Sequence, residues 1–185
     1  MLKLWLPLVV MVLDLSACTS TKPMTEILVF PETQSLQDAS NQETWYQAEW
    51  IWPERSVAFL SMLRSQNDGQ TILVATSLTG QELFAIQQKG QTLTVLQQQP
   101  ETKRLPLHYV YRDVVWATTS AQAFTNMDAT GQHFQANSQT KVWQKQGKTI
   151  WQAILQDDGS WLVSNIIAAY QLRLSPLTLN EEFHE

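Results

Sequence analysis

From Trp45 to Leu174 apolar and polar residues alternate in short runs, the period-two signature of strands with two unlike faces. Trp45 to Trp52 predicts a first, aromatic-rich strand that stops at Pro53. Ser56 to Arg64 predicts a second, with Val57, Phe59, Ser61 and Leu63 on one face. Asn67-Asp68-Gly69 is a hairpin turn, because Asp-Gly readily takes positive φ. Strands follow over Thr71 to Ser77, Glu82 to Gln87 and Thr92 to Gln97, separated by Thr79-Gly80 and Lys89-Gly90. The pattern then changes. Leu105 to Trp116 is apolar with Pro106 near its start, as a first helical turn allows, but it has no clean helical stripe. Thr119-Ser120 offers N-cap oxygens to a short helix from Ala121 to Met127, ended by Asp128 to Gly131. Strand signals return over Gln132 to Gln146 (one strand or two), Thr149 to Leu155, Trp161 to Ile167 and Tyr170 to Leu174, with an Asp157-Asp158-Gly159 turn among them. The fold class is mainly β with minor α: nine or ten antiparallel strands and a helical insertion.

The N-terminus follows a different pattern. Lys3 precedes an unbroken apolar run from Leu4 to Leu13, too short for a bilayer, which needs about 20 residues, and suited to a secretory leader. Leu15-Ser16-Ala17-Cys18 resembles a bacterial lipobox, and Cys18 is the only cysteine of the chain. Asp14, between the apolar run and the box, departs from the usual pattern. The organisation expected is a signal peptide over 1–17, a lipidated N-terminus and tether over 18–43, one domain over 44–179 and an acidic tail over 180–185. Several acyl chains on Cys18 anchor a protein stably where one does not. Thr19 after Cys18, where an Asp would retain an inner-membrane lipoprotein, implies the outer membrane, facing the periplasm of a Gram-negative cell.

Composition narrows the function. With 185 residues and 44% hydrophobic content the chain has a core's worth of apolar side chains. A formal charge of −5 argues against nucleic acid. No cofactor or metal site is expected, since a single Cys and three His offer no ligand cluster. His108, His133 and His184 read as ordinary histidines. Asp157-Asp158-Gly159 lacks the later ligands of a calcium loop. No nucleophile-elbow, phosphate-loop, dinucleotide or zinc-protease motif occurs, so no enzyme is expected. Arg112-Asp113 reads as a solvated surface pair, with an internal ion pair or a headgroup contact as alternatives.

Three stretches carry a family resemblance: Leu78-Thr79-Gly80-Gln81-Glu82-Leu83-Phe84, the apolar Leu105 to Trp116, and Leu162-Val163-Ser164-Asn165 followed by Tyr170-Gln171-Leu172-Arg173-Leu174. Over residues 45–177 the chain resembles the LolA/LolB superfamily of periplasmic lipoprotein carriers. Within it, the chain is most similar to an uncharacterised lipoprotein family often encoded beside aryl polyene and fatty-acid-like synthesis genes. The resemblance implies a curved antiparallel half barrel with helices capping an apolar concave face that takes acyl chains. It implies a lipid-anchored carrier or acceptor, an acyl-chain or lipoprotein cargo and a periplasmic carrier protein as partner. It also makes Leu78, on the loop after the third strand, a membrane-contact candidate. Trp50, Trp52, Leu73, Phe84 and Trp116 are the cavity candidates, with Trp50 and Trp52 on one strand face. The alternative is a structural or interaction lipoprotein whose core is filled and takes no ligand.

Overall fold

The structure, a computed structural model, describes residues 43–66, 69–124 and 132–177. The leader, Cys18, the tether, Asn67-Asp68, the end of the short helix and the acidic tail lie outside the described residues. Among the described residues ten strands form one antiparallel sheet: β1 (Glu43–Trp52), β2 (Arg55–Ser65), β3 (Gln70–Thr76), β4 (Glu82–Lys89), β5 (Thr92–Gln98), β6 (Gln132–Ala136), β7 (Thr140–Lys145), β8 (Lys148–Leu155), β9 (Trp161–Asn165) and β10 (Tyr170–Leu177). Their order is β5-β4-β3-β2-β1-β10-β9-β8-β7-β6, two meanders joined where β1 pairs with β10. Between β5 and β6 the chain makes a 3-10 turn (Pro100–Thr102), a helix α1 (Leu107–Thr118) and a second 3-10 turn (Ala121–Phe124).

The sheet bends around α1. In a flat sheet β3 and β7, six strands apart in the order, would stand about 29 Å from each other. Yet the Tyr111 hydroxyl of α1 lies close to Thr71 of β3, while Lys141 of β7 donates to Trp116 and Ala117 carbonyls near the other end of the same helix. Tyr111 and Ala117 are separated by only about 9 Å of helix rise. Only a trough brings both strands within reach, so the sheet is an open half barrel with α1 in its hollow.

That position explains the missing stripe. An amphipathic helix has one buried face, but α1 has sheet around it and ten of its twelve residues are buried. The inward parity of the strands completes the core: Tyr46, Ala48 and Trp50 of β1, Phe59 and Leu63 of β2, Trp151 and Ala153 of β8, and Leu172 and Leu174 of β10.

Two expected boundaries move. The strand from Trp161 stops at Asn165, because the Asn165 Oδ1 accepts the Ala168 backbone N–H at 2.9 Å and turns the chain. Strand β10 instead runs on past Leu174 to Leu177. Pro176 is tolerated there because β9 has already ended, leaving that edge of β10 without a partner strand to donate to.

Candidate functional site

A cleft of about 220 Å³ opens where β1, β2 and β4 meet the 3-10 turn that precedes α1. Its walls are Trp50 and Trp52 of β1, Val57 and Phe59 of β2, Leu83 and Phe84 of β4, and Leu105, with Arg55, Glu101 and Thr102 beside them. Alternation places Trp50 and Trp52 on one face, where their rings stack at 4.7 Å and 10°. The Arg55 guanidinium lies 4.8 Å over the Trp52 ring. The opposite wall is held rigidly: Thr102 Oγ1 donates to the Gln99 carbonyl at 2.8 Å, and the Gln99 N–H donates to the Leu83 carbonyl at 2.9 Å. Trp50 is buried, and its indole N–H has no hydrogen-bond partner among the described residues.

A shallower groove of about 420 Å³ lies on the other side of Trp52, between Ile51, Pro53, Ile166, Ala169 and Tyr170. Its floor includes Asn165 and Tyr170, and these lead to a buried polar knot. Arg112 donates through Nε at 3.0 Å and Nη2 at 2.7 Å to one Asp113 oxygen. The other Asp113 oxygen accepts the Asn165 amide at 2.8 Å and the Tyr170 hydroxyl. The guanidinium is also faced by the rings of Tyr109 at 4.8 Å, Trp116 at 4.9 Å and Trp143 at 5.5 Å. Burial pushes the Asp113 carboxyl above its ordinary range, against the pull of the Arg112 charge and of the Tyr170 and Asn165 donors. Burial and the neighbouring carboxylate push the Tyr170 phenol well up.

The solvated surface pair expected at Arg112-Asp113 is therefore wrong: both side chains have zero exposure. They sit in the middle turns of α1, where every residue from Tyr109 to Ala117 is buried.

Of the residues singled out for a cavity, Trp50, Trp52 and Phe84 line the cleft. Leu73 does not; it packs in the sheet between its neighbours Leu63 and Ile86. Trp116 does not either. Its ring is ringed by those of Phe124, Phe134, Trp143 and Trp151 at 5.2 to 6.2 Å, which fill that end of the trough with side chains. Leu78 is 64% exposed on the β3–β4 turn, where Gly80 takes φ +87. His108 and His133 are exposed, and among the described residues no group of three His, Cys, Asp or Glu stands close enough to hold a metal. No described helix is long and apolar enough to cross a membrane.

Sequence reading missed Lys141. The side chain is buried, and its ammonium, 4.4 Å over the Trp161 ring, caps the C-terminal carbonyls of α1. The signal was its parity, since in Thr140 to Lys145 it shares the inward face with Trp143.

No curated protein matches the chain. Among solved structures, the chain is similar to the LolA superfamily protein NE2245 from Nitrosomonas europaea, with 10% sequence identity and a TM-score of 0.43, over 80% of this chain and 92% of that one. A family model described as protein of unknown function (DUF3261) matches residues 43–178, and the chain belongs to that family.

Proposed function

We propose that this protein is a lipid-anchored acceptor that holds the apolar end of an amphiphile in the cleft beside Trp50 and Trp52. The observation that carries the reading is a mainly apolar cleft of about 220 Å³ walled by Trp50, Trp52, Phe59 and Phe84. A dry cavity of about 150 Å³ admits a benzene ring. The cleft thus takes one aromatic ring or a short stretch of chain, and the rest of a longer molecule runs out past Arg55 and Glu101. Burying six methylenes is worth about 5 kcal/mol before ordering costs. The binding needs no covalent step.

The surrounding biology belongs to the same proposal. Cys18 carries the lipid, the domain faces the periplasm from the outer membrane, and Leu78 touches the bilayer during delivery. The cargo is a lipoprotein acyl group or an aryl polyene lipid, as the sequence resemblance suggests, handed over by a periplasmic carrier.

The test is a titration of the purified protein with alkyl and aryl carboxylates of increasing length, read by tryptophan fluorescence. Val57 is 45% exposed at the cleft, so Val57→Trp plugs the opening without disturbing the core. We expect binding at least tenfold weaker in V57W, with stability within about 0.5 kcal/mol of the parent. Equal affinity in the two proteins, or no response at any length, overturns the reading.

A second reading has its own support. The helix and the aromatic cluster at Trp116 fill most of the trough, as a structural lipoprotein with no ligand requires. Such a protein predicts a silent titration and a stable protein partner.

A further inference from the structure

The alternating meander sorts its connections onto two rims. The β1–β2, β3–β4, β7–β8 and β9–β10 turns and the segment from Gln99 to Pro106 share one rim; the β2–β3, β4–β5, β6–β7 and β8–β9 turns share the other. On the second rim the described turn residues are polar or glycine: Gln66, Gly90, Gln91, Asn137 to Gln139, and Gln156 to Gly159. On the first, the β9–β10 turn holds Ile166 at 55% and Ile167 at 42% exposure. Exposing two adjacent isoleucines on a turn wastes burial that either would gain in a core.

Charge sorts the same way. On and beside the turns of the first rim stand five cations, Arg55, Lys103, Arg104, Lys145 and Lys148, against three carboxylates, Glu54, Glu82 and Glu101. The described residues on and beside the second rim carry Arg64, Lys89 and Arg173, the last acting on Asp158, against Glu43, Asp157 and Asp158, so that rim is balanced. The chain as a whole is at −5, so the excess on the first rim runs against its composition. Lys145 and Lys148 even face each other as paired residues across the β7–β8 hairpin, a like-charge pair that costs stability unless an anion relieves it.

From these placements we propose that the rim bearing Ile166 and Ile167 docks on an anionic lipid bilayer, the two isoleucines entering the acyl boundary and the lysines meeting headgroup phosphates. This rests on the proposed anchor at Cys18 and extends the bilayer contact proposed for Leu78, which stands 64% exposed on the same rim, but it does not depend on the cleft holding a ligand. The length of the chain permits it. Strand β1 begins at the second rim and is roughly 33 Å long, while the 24 residues 19–42 between Cys18 and Glu43 span up to about 80 Å. A domain moored at Cys18 can therefore present its far rim to the same membrane. Basic residues within a Debye length of an anionic leaflet are drawn to it, and salt weakens that attraction.

The experiment uses the full chain reconstituted in vesicles, with an environment-sensitive fluorophore on a cysteine introduced by Ile167→Cys, or by Ser138→Cys on the second rim. The parent chain, treated identically, corrects for label at Cys18. With 30% phosphatidylglycerol we expect a blue-shifted emission at 167 and at least twofold quenching by shallow spin-labelled lipids, with position 138 remaining water-like. In phosphatidylcholine alone, or with Lys145→Glu and Lys148→Glu added, the quenching at 167 should fall to the level at 138. Water-like emission at 167 in anionic vesicles overturns the proposal, as it would if this rim met a protein instead. Equal quenching at both positions, or quenching at 167 indifferent to lipid charge, overturns it too. None of these results bears on V57W.

Discussion

Arg112→Met should lower the unfolding free energy by about 3–5 kcal/mol, a large share of the 5–15 kcal/mol typical of a domain. The pair is fully buried, so removing the guanidinium leaves the Asp113 carboxylate without its counter-charge in a place water does not reach. Methionine fills the space among Tyr109, Trp116 and Trp143 but supplies no donor. The double variant Arg112→Met with Asp113→Asn should recover much of the loss, because it removes both charges and keeps a group near Asn165 and Tyr170. The single variant also acquires a pH signature. Burial already raises the Asp113 pKa, and loss of the cation raises it further. A folded-state carboxyl that holds its proton above the unfolded value gains stability as pH falls. Denaturant midpoints of R112M should therefore rise from pH 7 toward pH 5. A loss under 1 kcal/mol, or a midpoint that drops on acidification, would contradict the role given to this pair.

Lys141→Met is the second large effect, expected at about 2–4 kcal/mol. The ammonium donates to the carbonyls of Trp116 at 3.0 Å, Ala117 at 2.6 Å and Thr119, the acceptors a helix end leaves unpaired. Methionine keeps the volume and loses all three bonds. Burial pushes the Lys141 pKa down from 10.5 to about 8. Below pH 8 both folded and unfolded chains hold the proton. Between pH 8 and 10.5 only the unfolded chain holds it, so this group makes the parent more stable as pH rises through that window. The gain is about 2 kcal/mol by roughly pH 9.5. Chemical unfolding of parent and variant across pH 7 to 9.5 checks both parts. Parallel pH profiles would remove Lys141 from the account.

How much of this was legible follows from where each residue looks. Strands show in sequence because one face is wet, and Tyr170 to Leu174 alternates strictly for that reason. The stacked pair at Trp50 and Trp52 was legible as two aromatics at the strand period. The helix was half hidden, because enclosure on all sides removes the polar face that marks an amphipathic helix. Arg112, Asp113 and Lys141 were misread or missed for one shared reason. Composition places charged side chains outside, and only tertiary contacts 22 or more residues away make their burial affordable. The trough itself follows from the helix reaching β3 and β7 together, a long-range fact that no local window contains. The cleft is what remains where α1 has not yet begun and the 3-10 turn stands off from β1.

The central claim is that this remaining space holds a guest. Native mass spectrometry of the protein extracted from its own membrane in mild detergent tests it most directly. The account predicts an added non-covalent mass of one amphiphile per chain on the parent, absent from Val57→Trp. The bare mass of the chain and its covalent lipid in both proteins would contradict it.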